Sequence, residues 1–302
     1  MKVVELSGGV GGARLARGLA AIAAVDLTVI VNVGDDESNH DLHVSPDLDT
    51  VVYTLAGVEG EHGWGRRQDT FVTNEELDRF GLDNTFQLGD KDLALKLYRS
   101  QRMRLGDPLS EITRSVLSFF AVDTPVLPAT DDRVRTEVGI EGNQWLSFQN
   151  YFVHRQQEDE VRALRFEGAD KSVPAPGVVE AINGADAVVI GPSNPPLSIW
   201  PILAVPGIRE AVAAHRRVAA VSPLFGGKAL KGPADRVMAS LGLPPGNEGV
   251  AEAYLGLIDS LVIDTADIAD ADTIAGVEIT AIDTLIGDTE SAAALSRAIL
   301  GL

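Results

Sequence analysis

The chain has 302 residues, 44 acidic against 25 basic side chains, no cysteine and 45% hydrophobic residues. This length suits two domains, or one large α/β domain with an insertion, and a core large enough to fold without covalent staples. The missing cysteines exclude disulfides, zinc ribbons, thiol nucleophiles and thiolate-held iron–sulfur clusters, and a net charge of −19 opposes non-specific binding to nucleic acid or to an anionic membrane.

The opening apolar run, Met1 to Leu6, stops at Ser7-Gly8-Gly9, too early for a signal peptide. No apolar stretch approaches the roughly 18 residues of a membrane helix. A cytoplasmic protein with no membrane and no nucleic-acid partner is expected.

Val3 to Leu6 reads as a buried strand feeding a glycine turn, Arg14 to Ala24 carries helical spacing, and Leu27 to Val33 is a second β-branched run. Strand, glycine-rich turn, helix, strand is a βαβ unit opening a parallel sheet, with both strand-end loops on one carboxyl edge. From about Gly60 to Pro176 the character changes. Helical patterns at Glu75–Phe80, Asp92–Leu105 and Ser110–Phe120 precede strand-like runs at Arg135–Ile140, Gln144–His154 and Val161–Phe166, with a turn at Glu141-Gly142-Asn143. The α/β rhythm then returns with a helix at Val178–Ile182, a strand at Ala187–Ile190, a helix at Ile208–His215 and a strand at Val218–Val221. Strands at Leu261–Ile263 and Val277–Ile282 and a helix at Ser291–Leu300 close the chain. The expected fold is α/β: a doubly wound, mostly parallel Rossmann-like sheet from residues 1–59 and 177–302. A mixed α+β insertion, residues 60–176, lies over its carboxyl edge on the acceptor side.

Chemistry concentrates in the strand-end loops. Gly8-Gly9-Val10-Gly11-Gly12 lets backbone amides approach a ligand at a helix N-terminus, the physics of a phosphate cradle. It is neither a strict G-x-G-x-x-G, because Arg14 stands where the last glycine belongs, nor a P-loop, because no Gly-Lys-Ser/Thr follows. Asp35, Asp36, Asp47 and Asp49 follow the second strand, and hard oxygen ligands of this kind suit Mg²⁺ together with substrate phosphates. Taken singly, Asp47 or Asp49 also suits the cap of a helix from Thr50 to Leu55. An Asp49→Asn exchange separates the two roles, since asparagine caps as well but cannot supply the charge. Leu88-Gly89-Asp90-Lys91-Asp92 heads a helix, while Gly191-Pro192-Ser193-Asn194-Pro195 and Ser222-Pro223-Leu224 fix polar groups at strand ends. The five histidines show no metal spacing, and Pro195 breaks any G-x-S-x-G elbow.

These six segments, in this order, resemble the 2-phospho-L-lactate transferase / phosphoenolpyruvate transferase family of coenzyme F-420 biosynthesis, from about residue 3 to 235. The resemblance implies Mg²⁺-dependent transfer of a phospholactyl or phosphoenolpyruvyl group from a guanosine diphosphate-linked donor to the ribityl hydroxyl of the deazaflavin Fo, with GMP leaving. It places Asp35, Asp36 and Asp49 in catalysis, Asp35 and Asp49 on the metal, and Asp49 and Lys91 on Fo. Gly8, Gly9, Val10, Gly11, Gly12, Ser193, Asn194 and Ser222 fall along the nucleotide, and a homodimer is expected. The Arg-rich, Lys-poor usage, 19 against 6, points to a high-GC bacterium, in which the family leads one to expect the enolpyruvyl donor. Two other readings use fewer of the motifs. A gluconeogenesis-factor-like nucleotide-sugar binder shares the fold, but carries a Gly/Ser-rich run where Glu37-Ser38-Asn39-His40 stands here. A nicotinamide oxidoreductase rests on the first βαβ unit alone.

Overall fold

The computed structural model describes residues 1–83 and 85–302. In chain order, β1 (Lys2–Ser7) leads into α1 (Gly9–Ala20) and β2 (Asp26–Val31). A small hairpin, β3 (Glu37–Asn39) and β4 (Leu42–Val44), precedes α2 (Pro46–Leu55), α3 (Val72–Arg79), α4 (Asp90–Arg104) and α5 (Leu109–Phe119). Then come β5 (Val126–Pro128), β6 (Arg135–Ile140), β7 (Gln144–Ser147) and β8 (Ala163–Glu167). The last third holds α6 (Val178–Gly184), β9 (Ala187–Ile190), α7 (Trp200–Leu203), α8 (Ile208–Ala213) and β10 (Val218–Val221). It continues through β11 (Leu224–Phe225), β12 (Lys228–Ala229), α9 (Ala234–Ser240), α10 (Gly246–Ala253), β13 (Ser260–Asp264), β14 (Glu278–Ile282) and α11 (Thr289–Leu300).

Seven strands form one sheet in the order β14-β13-β10-β9-β1-β2-β5, every neighbouring pair parallel. The near-continuous apolar runs follow from burial on both faces. Val4, Leu6, Val188 and Ile190 point into a core with α6, α8 and α10, and Val3, Val29, Val31 and Val189 into a second with α1, α2, α5 and α11. The doubly wound α/β architecture is therefore present.

Two boundaries differ from the sequence reading. β5 lies inside the segment expected to be inserted, yet it is the edge strand of the main sheet, paired with β2. At three residues it is too short to announce itself by periodicity. The run expected as a strand through His154 stops at Ser147 and turns into a wide helical turn, Asn150–His154, whose Phe152 stacks on the preceding Phe148 at 5.2 Å. The three-stranded sheet β7-β6-β8 reaches back to the carboxyl edge, where the Thr136 N–H donates to Gly34 O at 2.6 Å and Gln149 Nε2 to Asp35 O at 2.9 Å.

Candidate active site

From β1 the chain builds outward through β2 to β5, then returns to the other side of β1 and builds from β9 to β14. The loops after β1 and β9 therefore diverge in opposite directions, the place where open α/β sheets form their ligand crevice. Here the two loops interlock. Ser193 Oγ accepts from the Gly8 N–H at 3.1 Å and donates to the Gly8 carbonyl at 2.7 Å. A Cβ at Gly11 would sit 2.3 Å from the Pro192 carbonyl oxygen, and one at Gly12 would sit 2.3 Å from Ser7 Oγ. Gly8 is confined as well, by Ser198 and Asp47, whereas Gly9 has open space and φ +66. The helix expected from Arg14 begins at Gly9, inside the glycine loop. Its first-turn N–H groups have no intrahelical acceptor. Gly9 donates to Asp47 Oδ1 at 2.7 Å, which leaves the neighbouring amides of Val10 and Gly11 for an anion at the positive end of α1. Gly11→Ala is expected to cost about 1–3 kcal/mol, the usual range for overpacking, because a rigid carbonyl meets the new methyl. Urea unfolding of the variant checks it; an unchanged midpoint would mean the loops are not in contact.

Below the loop lies an acidic cluster. Asn32, the first residue after β2, donates its side-chain amide to Asp35 Oδ1 at 2.7 Å and to Asp47 Oδ2 at 3.0 Å. Both carboxyls are buried, which pushes Asp35 well above the usual carboxylate range and Asp47 up to about 6. For Asp35 the charges of Asp47 and Asp36 add to the effect of burial. Asp36 Oδ2 accepts from Ser45 Oγ at 2.8 Å and lies 2.8 Å from His43 Nε2, while its Oδ1 is buried without a partner among the described residues. A small cavity of about 70 Å³, lined by Gly34, Asp36, Arg135 and Thr136 among others, adjoins the cluster. Arg135, at the start of β6, lines that cavity together with Arg133. Burial lowers its pKa, and the carboxylates of Asp36, Glu37 and Asp35 oppose that effect.

Asp49 does not join this cluster. Its carboxylate is buried against α4, with Lys96 Nζ at 2.8 Å and Arg99 Nη1 at 3.0 Å on Oδ2, and Arg99 Nη2 on Oδ1. Those two cations overcome its burial and hold it near 2. Lys96 also pairs with Asp92, and Tyr53 donates to Asp92 Oδ1 at 2.6 Å, so two acids and two bases balance between α2 and α4. Nor does Asp49 cap α2, whose N-cap residue Ser45 and first turn carry no side-chain cap bond. It is Asp47 that caps a helix, and the helix is α1. Lys91 is exposed, with its ammonium on the Gln68 carbonyl at 2.6 Å, and does not meet Asp49. Asn194 caps the turn Pro195–Ile199 through Leu197 N–H, and Ser222 is fully buried with its hydroxyl accepting from Leu224 N–H.

The sequence reading missed Asn32 as the shared amide, Arg135, and the α4 residues that occupy Asp49. A polar residue ending an otherwise apolar strand was the available signal for Asn32. Nothing local marks Lys96 or Arg99, because helical charges usually face water.

Among the described residues no three or more His, Asp or Glu side chains stand as a ready-made metal shell. Two buried carboxylates bridged by one amide, with an orphaned third carboxylate oxygen beside them, still fit an ion that takes one or two carboxylates and completes itself with phosphate and water.

The family pattern described as 2-phospho-L-lactate transferase CofD matches residues 3–298. The chain belongs to that family. CofD-family relatives named phosphoenolpyruvate transferase are 44% identical in Kitasatospora aureofaciens and 42% in Streptomyces griseus, each match covering 100% of this chain and 98% of the relative. The relative from Mycolicibacterium smegmatis is 38% identical over the same shares. Membership makes the chain a phospho-transferase of coenzyme F-420 biosynthesis. A crystal structure of a UPF0052-family protein from Bacillus halodurans superposes with a TM-score of 0.67 at 19% identity, covering 99% of this chain and 98% of that one, and it shares the fold. No helix among the described residues of this CofD-family chain is long and apolar enough to cross a membrane.

Proposed function

We propose that the protein transfers a phosphoenolpyruvyl group from a guanosine diphosphate-linked donor to the ribityl hydroxyl of the deazaflavin Fo, releasing GMP. The observation that carries this reading is the amide of Asn32 shared by Asp35 and Asp47, with Asp47 also holding the first amide of α1. One carboxylate thus links the phosphate cradle to the acidic cluster. The choice of the enolpyruvyl over the lactyl donor follows the names of the relatives.

In this reading Asp35 and Asp47 hold Mg²⁺, the role first expected of Asp35 and Asp49. When bound, the ion supplies charge stabilisation at the phosphoryl oxygens. The Val10 and Gly11 amides and Arg135 fix the diphosphate, and the positive end of α1 meets the charge that develops during transfer. The Fo hydroxyl attacks the phosphorus bearing the enolpyruvyl ester, the bond to the GMP oxygen breaks, and Asp36 Oδ1 takes the hydroxyl proton. Positioning rather than a strong nucleophile supplies most of the rate, as in other phosphoryl transfers. Lys91, exposed in the first turn of α4, remains our candidate contact for Fo.

Incubation with Fo, Mg²⁺ and each of the two donors, followed by mass analysis, tests the reading. The enolpyruvyl phosphodiester of Fo is expected together with one GMP per product. A lactyl product alone would reverse the donor assignment, and no product from either donor would remove the acceptor.

A further inference from the structure

We propose that Glu5 is a positioning residue of the cradle: its carboxyl group, seated with the Ser7 hydroxyl beneath Gly12 and Gly191, sets how much of the positive end of α1 is left for a phosphate. The inference rests on the nucleotide reading of the cradle given above.

Glu5 lies in the middle of the central strand β1 and is 0% exposed. Its register partners are Val29 on β2 and Val189 on β9, and it points with Val3 to the face that α1 covers. Neither carboxyl oxygen meets a partner in good hydrogen-bond geometry among the described residues, and the same holds for Ser7 Oγ, although that hydroxyl lies close enough to Glu5 to favour its ionised form. These three orphaned atoms lie directly under the loop. Glu5 Oε1 is 2.8 Å from where a Cβ on Gly191 would stand, and Gly12 Cα is 3.1 Å from that same point. Ser7 Oγ and Ser193 Oγ lie 2.3 and 2.9 Å from a Cβ placed on Gly12, and Ser193 in turn grips Gly8. The Ser7 and Ser193 hydroxyls therefore line the space between Glu5 and the first residues of the cradle. An apolar residue would serve a purely structural core at this position better, since burying an unpaired polar group is costly.

Among the described residues no charged side chain faces Glu5. β2 and β9 present valines, α1 presents Gly12, and the α1 arginines Arg14 and Arg17 turn instead to the Ile286 carbonyl and to Glu59. The nearest ionisable member of the cradle is Asp47 on α2, at Gly9. Burial accordingly pushes the Glu5 carboxyl well above its ordinary value, against a smaller opposing effect of Ser7. A neutral acid here leaves the N-terminal partial charge of α1 free for a ligand. An ionised one would sit under the same helix end and compete with the incoming phosphate. By linkage, phosphate binding must then favour the protonated acid, and protonation must favour phosphate binding.

The test compares wild type with Glu5→Gln, which stays neutral at every pH, by calorimetric titration with GDP from pH 6 to 9 in two buffers of different ionisation enthalpy. Wild-type affinity is expected to fall by about fivefold or more across the ionisation, the scale of one charge at a helix terminus, with net proton uptake on binding. Glu5→Gln keeps its affinity at high pH and loses that proton uptake; the Asp47 contribution, common to both proteins, cancels. Identical pH profiles and proton uptake in the two proteins would overturn the proposal. A wild type that binds no GDP at any pH would instead defeat the nucleotide reading, and a melting series then decides on Glu5. Its raised folded-state value gives stability that is full below about 4.5 and is lost as pH climbs, so the melting advantage of Glu5→Gln should widen upward from there. A gap that stays constant from pH 5 to 9 would overturn the role of Glu5 by itself.

Discussion

Asp47→Asn is expected to lower GMP release by at least about a hundredfold, the scale of losing a positioned electrostatic group, while the protein stays folded. The asparagine oxygen can still accept from Gly9 N–H, so the cradle contact is kept, while the charge that would hold Mg²⁺ and the acceptor for the Asn32 amide are both lost. The pH dependence gives an independent check. The buried carboxyl titrates near 6 in the folded chain against an ordinary 3.8, so wild-type stability falls as pH rises through that window. The variant lacks this loss. Its melting temperature relative to wild type should therefore climb between about pH 4 and 6 and then level off. Near-normal turnover in Asp47→Asn would remove Asp47 from the metal site.

Asp49→Asn should do the reverse, damaging the fold first. The structure seats this carboxylate between Lys96 and Arg99 inside the protein, and removing one partner of a buried ion pair typically costs about 3–5 kcal/mol. Arg99→Ala should cost a similar amount, because Asp49 then keeps only Lys96. The depressed value of Asp49 adds stability that is complete above 3.8 and is lost as pH falls toward 2, so acid unfolding should begin at a higher pH once the cluster is broken. Urea unfolding at pH 7 and a melting series from pH 2 to 7 measure both effects. If Asp49→Asn melts like wild type yet loses turnover, the carboxylate must leave its cations to meet the acceptor, and the α2–α4 cluster described above is not the resting arrangement.

Much of this fold was legible because buried parallel strands announce themselves: Val3–Leu6, Ala187–Ile190 and Val218–Val221 are short β-branched runs ending in Gly, Ser or Pro. β5 escaped because three residues carry no period, and the strand expected to run through His154 was cut short by packing between Phe148 and Phe152. At the site, the glycine loop and the aspartates were visible as loop chemistry next to strand ends. Their division of labour was not. Whether an aspartate meets an amide, a metal or an arginine depends on what folds over it, and Lys96 and Arg99 arrive from about fifty residues downstream on a helix whose pattern gives no hint that this face is buried. Three of the four loop glycines turned out to be required by close packing, so a cluster that reads as a ligand signal is equally a record of two loops touching.

The clasp between Ser193 and Gly8 joins residues 185 positions apart, and Pro192 abuts Gly11 from the same distant loop. The amino-terminal third of the chain thus holds the amides and the aspartates but lacks the wall that shapes them. During synthesis the cradle stays incomplete until nearly two-thirds of the polypeptide has emerged. A nucleotide cannot template the early stages of folding, and any truncation ahead of residue 193 should abolish ligand capture even though every glycine of the loop is present.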